Sequence, residues 1–495
     1  MSNRKKQTHS RRNLLKCMAA APFMGGSLPN PIQAAEAAID PSQRRFLFVI
    51  GANGGASIVD SFLPILNTES NSGANTFTEQ QIQQPNGSNF RCPIPLDNDI
   101  QGAIPLGDGY NMATFLSKHS SDMAVMTQEV SSVNHLIAAR RSVTGDNING
   151  GRTLQEAVAA KYGMDLLLPN CNMAGDGYGV NGEDGTLPAK ALGEVISDAR
   201  YFAFATHGSK GLKNVPDASL LESARSVRSE LDASRAANSK LSRRALVNQY
   251  LAHRDELLPN LEAANLIGKL LMLQQSPNSA PLADFELEAS PEGQMLAERF
   301  PNLQTDPFEA QVALAYLLIK NGVTCTVSLA PSGTPFFDAE RTALTSPLGF
   351  DWSHVDHRGA QNAMWSRIMR MTDNLIDLLK ASEFGDGQSY WDRSLIYIAT
   401  EFGRDKTSNG GSGHDLNNGN VIVSPFINGN RVFGGLDSNT ALTYGFDRQS
   451  GAPAPGTYMK EGDVYSAICQ ALDIEFQGRR DVPAMMRLKS RRVNA

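Results

Sequence analysis

Short apolar runs that break abruptly into glycine-rich or polar loops, with helical stretches between them, constrain this chain more than any other feature. Phe46, Leu47, Phe48, Val49 and Ile50 are stopped by Gly51, Ala52, Asn53, Gly54 and Gly55, as when a buried central strand enters a tight loop. Residues 123–126, 201–205, 323–329, 395–399 and 421–427 read as further strands. Helices are expected over 154–162, over 359–381 and over 464–472. Another begins at Asp306, with Pro307 in its first turn, Glu309 completing a capping box and Gly322 ending it. In the 359–381 stretch Met364, Ile368, Met371, Leu375 and Leu378 form one stripe, which reads as a core face. Such alternation predicts an α/β fold: a predominantly parallel sheet with helices on both faces. Residues 65–110 read as an irregular excursion, and no internal repeat is visible. A charged helical insertion is expected over about 215–300, with Leu266, Leu270 and Leu273 at helical spacing and a loop at 276–281.

The amino terminus has a different character. Ser10, Arg11, Arg12, Leu14, Leu15 and Lys16 stand in the register of a twin-arginine export signal. A weakly apolar run at 18–28 follows, then small residues suited to cleavage at Ala35, Glu36 and Ala37. That run is too short to anchor in a bilayer, and no later run is long enough to cross one. The expected organisation is a signal peptide at 1–37, one α/β domain at 38–480 and a tail at 481–495. The expected partner during export is the twin-arginine translocase, and the destination periplasmic or extracellular. Cleavage removes Arg4, Lys5, Lys6, Arg11, Arg12 and Lys16 against Glu36 alone, which takes the net charge from −6 to −11. An acidic surface argues against nucleic acid as the main partner. Cys92, Cys171, Cys325 and Cys469 are scattered, without the CxxC of a zinc ribbon or redox motif. An oxidising destination permits disulfides, whereas Cys325 and Cys469 lie in apolar runs that suit buried free thiols.

In an open α/β sheet ligands bind beyond the carboxyl ends of the strands, so the polar residues after each strand matter most. Four clusters qualify. After the first strand come Asn53, Gly54, Gly55 and Ser57, with Asp60 beyond; the glycines let backbone N–H groups approach a ligand, and Ser57 or Asp60 suits a nucleophile or metal ligand. After the second come Asn134 and His135, leading to Arg140, Arg141, Thr144 and Gly145. The densest cluster holds Asp351, Ser353, His354, Asp356, His357 and Arg358 just before a helix, an imidazole and carboxylate set suited to zinc or another borderline divalent ion. Asp is also favoured there by capping alone. The last comprises Glu401, Phe402, Gly403 and Arg404 at a strand's exit, followed by a glycine-rich loop into His414 and Asp415. A structural Glu–Arg pair at the sheet's rim fits that cluster equally well.

Taken together these clusters resemble the secreted bacterial family of domain of unknown function 1501, a distant relative of the alkaline phosphatase and sulfatase superfamily. The marks are Gly54-Gly55-Ala56-Ser57 with Asp60, Asn134-His135 with Thr144-Gly145, Asp356-His357, and Glu401-Phe402-Gly403-Arg404 followed by Gly413-His414-Asp415. The resemblance implies an alkaline-phosphatase-like fold and a metal-dependent hydrolase of phosphate or sulfate esters. A divalent ion (Zn, Mn or Ca) would be held among Asp351, His354, Asp356, His357, Glu401 and His414. Ser57 would be the nucleophile with Asp60 beside it, Arg404 would neutralise developing negative charge, and Asn53, Asn134, His135 and Asp415 would line the pocket. The chain also departs from the superfamily pattern. Ala52-Asn53 stands where an aspartate usually follows the first strand, and Glu401-Phe402 where Asp-His is usual. A non-catalytic exported scaffold or assembly protein on the same fold is the competing expectation. A redox protein is not supported, since no CxxC, haem-attachment motif or dinucleotide fingerprint is present.

Overall fold

The computed structural model describes residues 39–72, 74–94, 110–175, 177–203, 217–238, 266, 270, 291–331, 349–405 and 410–487. The twin-arginine segment, the loop at 276–281 and most of the expected helical insertion lie outside them. Within that insertion a helix at Ala218–Asn238 is described, and Leu266 and Leu270 are buried helical residues.

The core elements, in chain order, are β1 (Phe46–Ala52), α1 (Met112–His119), β2 (Met123–Glu129), α2 (His135–Thr144), α3 (Leu154–Tyr162), β3 (Asn170–Asn172), β4 (Glu194–Val195), α4 (Pro307–Lys320), β5 (Thr326–Leu329), α5 (His357–Ala381), β6 (Ser394–Thr400), β7 (Asn417–Val423), β8 (Arg431–Phe433) and α6 (Glu461–Ala471). They build an eight-stranded sheet in the order β8-β2-β7-β6-β1-β5-β3-β4. Strand β7 runs antiparallel to both neighbours, and every other pairing is parallel. The predominantly parallel sheet expected from the alternation is therefore observed. Strands β1 and β6 are buried along their whole length, which is why they read as unbroken apolar runs. The methionine-bearing stripe of α5 faces the core, with Met364, Ile368, Met371, Leu375 and Leu378 all buried.

Direction matters for function. Strands β1, β2 and β6 all end at the same rim, and because β7 runs the other way it begins there. The pairs Ala52 with Thr400 and Glu129 with Asn417 bring those ends level. Residues that leave β1, β2 and β6, or that enter β7, therefore gather over one edge of the sheet.

Several local expectations need correction. Residues 201–203 are not a strand: the 3-10 turn Ala199–Tyr201 runs into helical Phe202 and Ala203. Asp198 starts that turn by accepting from the Arg200 N–H at 2.9 Å, while Phe202 and Ala203 bury in the core. Residues 204–205 lie outside the described residues. The third strand is instead Asn170–Asn172, too short and polar to show as an apolar run. Asp306 does cap α4, accepting from Phe308 N at 2.8 Å, but Glu309 makes no capping box. Its carboxylate turns outward from the cap to accept from Asn302 N at 2.6 Å. Strand β7 spans Asn417–Val423 rather than 421–427; Asn420 hides its amide oxygen against Tyr397 Oη (3.2 Å) and Thr400 N (3.3 Å), so a polar half-strand stays buried.

Cys92, Cys171, Cys325 and Cys469 are all buried and free. Burial pushes the Cys92 and Cys171 thiols up to about 12, and those of Cys325 and Cys469 further still. Among the described residues no helix is long and apolar enough to cross a membrane.

Candidate metal centre

The clusters picked out in the sequence separate into two sites. The first lies over the rim where β1, β2 and β6 end. His135 opens α2 behind the Asn134 cap; Asp351 and His354 sit on the 3-10 stretch Gly349–His354; Glu401 and Arg404 leave β6; His414 precedes β7. The Asp351 Oδ1 atom lies 3.6 Å from His135 Nε2, 3.3 Å from His354 Nε2 and 3.8 Å from His414 Nε2. The Nε2 atoms of His354 and His414 are 3.0 Å apart.

Hydrogen bonding at the back of each ring fixes what its front can do. His135 Nδ1 is 2.9 Å from Glu401 Oε1 and His414 Nδ1 is 3.1 Å from the Val133 carbonyl oxygen, both acceptors, so each Nδ1 carries the proton. In the neutral rings Nε2 is left as a lone pair. His354 Nε2 receives an N–H of Arg404 at 3.3 Å, and arginine only donates, so that nitrogen is a lone pair as well. With the three rings neutral, three imidazole lone pairs and a carboxylate oxygen face one another. Burial, with the nearby Arg404 charge, holds His414 below the usual histidine range, which disfavours a proton between the rings. The Glu401 hydrogen bond, opposed by partial burial, raises His135. A cation among these atoms would relieve their mutual repulsion. Imidazole nitrogen backed by a carboxylate or carbonyl, with a carboxylate oxygen alongside, is a zinc-type donor set.

The floor beneath is built by Arg404, whose side chain is 0 % exposed. Its Nε donates to Gly55 O (3.3 Å) and its Nη1 to Ser412 O (3.1 Å) as well as His354. Its Nη2 reaches Gly54 O, Phe350 O (3.2 Å) and Asp351 Oδ1 (3.0 Å). All five N–H groups are thereby engaged by the protein. Gly54 also donates its N–H to the buried Glu401 carboxylate. Gly54 (φ +96°) and Gly55 (φ +80°) adopt a backbone that favours glycine; a Cβ on Gly54 would strike the Asp351 backbone and one on Gly55 the Phe402 ring. Phe402 stacks on the His414 imidazole, with ring centroids 4.1 Å apart.

The second site is sealed. Ser57 Oγ donates to Asp60 Oδ2 at 2.6 Å, His357 Nε2 meets the same oxygen at 2.9 Å, and Asn75 Nδ2 donates to Oδ1 at 2.9 Å. Ser57, Asp60 and His357 are 1 %, 4 % and 2 % exposed. Burial pushes the Asp60 carboxyl up, but the His357 charge and the hydrogen bonds from His357 and Ser57 outweigh it and hold the group below the usual carboxylate range. Here the aspartate bridges serine and histidine, so no imidazole is hydrogen-bonded to Ser57 Oγ as a triad base would be.

Asp356, expected among the metal ligands, caps α5 by accepting from Gly359 N at 3.1 Å; of the expected pocket residues, Asn134 caps α2. Asn53 contributes its carbonyl to Phe350 N at 2.8 Å, and Asp415 accepts from Asn417 N at 2.7 Å. Ring orientation and the back-side partners Val133 and Glu401 could not be read from spacing. A second carboxylate and imidazole group, His119 with Asp373 and Asp377, is spanned by the Lys118 ammonium, which already pairs with both carboxylates.

No family model matches the chain, and no curated protein matches it. Among solved structures it is similar to Ps i-CgsB in complex with k-i-k-neocarrahexaose, at 10 % identity over 89 % of this chain and 75 % of that one, with a TM-score of 0.32. So distant a likeness carries no argument about activity or ancestry.

Proposed function

We propose that this chain is an exported hydrolase of phosphate or sulfate esters whose rim site holds a divalent cation through His135, Asp351 and His414. The observation that carries this reading is the convergence of three Nδ1-fixed or arginine-fixed imidazole lone pairs on one Asp351 oxygen. When bound, such an ion supplies a Lewis acid that polarises the ester oxygen. The chain's own residues do the rest. Glu401 and the Val133 carbonyl hold the protons of His135 and His414 at Nδ1 and so keep both Nε2 atoms aimed inward. Arg404, with its donors spent on the protein, positions Asp351 and His354 rather than touching substrate. Ser57 is committed to Asp60, so water is the attacking group in this reading. His354, whose ring is half exposed, is the base that can take the proton at Nε2.

Export in the folded state by the twin-arginine translocase belongs to the same proposal. Four buried free thiols suit a chain that folds where thiols stay reduced and leaves afterwards. The family resemblance to domain of unknown function 1501 rests on the motifs alone.

The test is metal analysis of chain purified from its own host, followed by an ester panel with zinc, manganese or calcium supplied. A retained divalent ion, lost in His414→Ala, and release of phosphate or sulfate are expected. Metal-free chain that neither takes up an ion nor releases either anion would overturn the proposal. The sequestered Ser57 favours a second reading, a metal-holding scaffold without catalysis; it is the outcome if ion is retained and the panel stays inert.

A further inference from the structure

At the β8 edge of the sheet the chain encloses a cleft of about 310 Å³ that shares no residue with the metal centre. One wall comes from the irregular excursion, with Glu69, Asn89 and Arg91; the other comes from the stretch after β8, with Gly434, Ser438 and Tyr444. Bonds on either side of that second stretch tie the walls together. Asn89 donates its backbone N–H to Asn430 Oδ1 at 2.6 Å and its amide to Asn430 O at 2.8 Å. Beyond Ser438, Asn71 N donates to Asn439 Oδ1 at 2.9 Å and Ser72 Oγ to Asn439 O. The walls are thus pinned while the space between them stays open, at a volume that suits a small molecule. Arg91 meets Glu69 through two bonds, at 2.7 and 3.1 Å, with both side chains about one-third exposed. Their charges cancel, yet the pair presents donors and acceptors side by side. Among the described residues Ser438 Oγ, Tyr444 Oη and Asn89 Oδ1 make no hydrogen bond. The hydroxyl end of Tyr444 stands over Gly435, where a Cβ would strike it, so the wall beneath is bare backbone. Phe62 and Leu436 add apolar surface.

We infer that this cleft is a binding site for an uncharged polyhydroxylated ligand, a single sugar ring by size and chemistry, and that it works independently of the ester reading of the rim. Each hydroxyl of such a ring both donates and accepts, which matches the Arg91–Glu69 pair and the uncommitted oxygens of Ser438, Tyr444 and Asn89. An anion would meet Glu69 and a cation Arg91, with no net charge to repay its desolvation. An apolar ligand would cover those oxygens and leave them unpaired. The C–H faces of a sugar ring suit the apolar surface of Phe62 and Leu436.

The experiment is saturation-transfer NMR on the full chain with the methyl glycosides of glucose, galactose, mannose and xylose, each titrated for affinity. At least one is expected to bind with a Kd of about a millimolar or tighter, and its uronic acid and amino-sugar counterparts more weakly. The double variant Tyr444→Phe, Ser438→Ala removes two hydroxyls that hold nothing in the protein. It should weaken that glycoside about tenfold or more, with the unfolding midpoint and metal content unchanged. Ser438→Trp should abolish binding by filling the cleft. If none of the four glycosides binds, or if affinity survives both variants, the inference is overturned whatever the metal centre does. If His414→Ala removes the binding while the cleft variants keep it, the sugar sits at the rim and the cleft assignment falls.

Discussion

Two histidine–carboxylate constellations share one short segment of this protein, at His354 and His357, and have opposite characters. Around Asp351, ring nitrogens are held from behind and left electron-rich in front, with the side chains partly exposed. Around Asp60, the partners close inward: Ser57, His357 and Asn75 all hydrogen-bond to the one carboxylate. His354 and His357 differ by three residues, yet one faces the open centre and the other the sealed one. Residue type therefore does not decide whether such a cluster can hold a ligand. Burial and the direction in which the partners close do.

Mutations can break this contrast. Asp60→Ala should have the largest effect on stability, about 3 kcal/mol or more by urea unfolding, because it strands buried partners. If it costs no more than a surface change, the second site is not the closed structural unit described. The pH dependence sharpens the same point. The folded Asp60 carboxyl lies below the usual carboxylate range, so its contribution is present above that range and is lost as pH falls through the folded value. The stability gap between the native chain and Asp60→Asn should therefore narrow in acid; a gap that widens there would contradict the assignment.

At the open site the expected readout is affinity instead. His414→Ala should weaken zinc binding by at least about a hundredfold, beyond what loss of a mere supporting partner costs, while the unfolding midpoint barely moves. Glu401→Gln should weaken zinc about ten- to a hundredfold by releasing the His135 ring. Competition with a chromogenic chelator measures both, and unchanged affinity in either would remove the corresponding role. Ser57→Ala is the smallest change expected, about 1 kcal/mol of stability from one lost hydrogen bond. Ester hydrolysis should survive it; abolished turnover in a folded variant would make Ser57 the nucleophile after all.

Much of the architecture was legible in advance, because strands buried on both faces must be apolar along their length and helices one-sided. β1, β2, β6, α3 and the core stripe of α5 follow from that. β3 and the first half of β7 did not, since asparagines there satisfy their amides inside the protein and mimic loop composition. The turn at 199–203 does not show in the sequence, because buried Phe202 and Ala203 look strand-like and hide the local Asp198 cap.

For the site, the sequence alone determined which chemical groups follow the strands: His135, Asp351, His354, Glu401, Arg404 and His414 were all marked by position. Only the tertiary structure decided that these six gather over one rim while Ser57, Asp60 and His357 are closed away, and that Arg404 is wholly consumed in holding the floor. The physical reason is that periodicity reports burial along a segment. The direction of a ring nitrogen depends on what stands behind it, and here that is a carboxylate or a carbonyl more than 250 residues away in the chain.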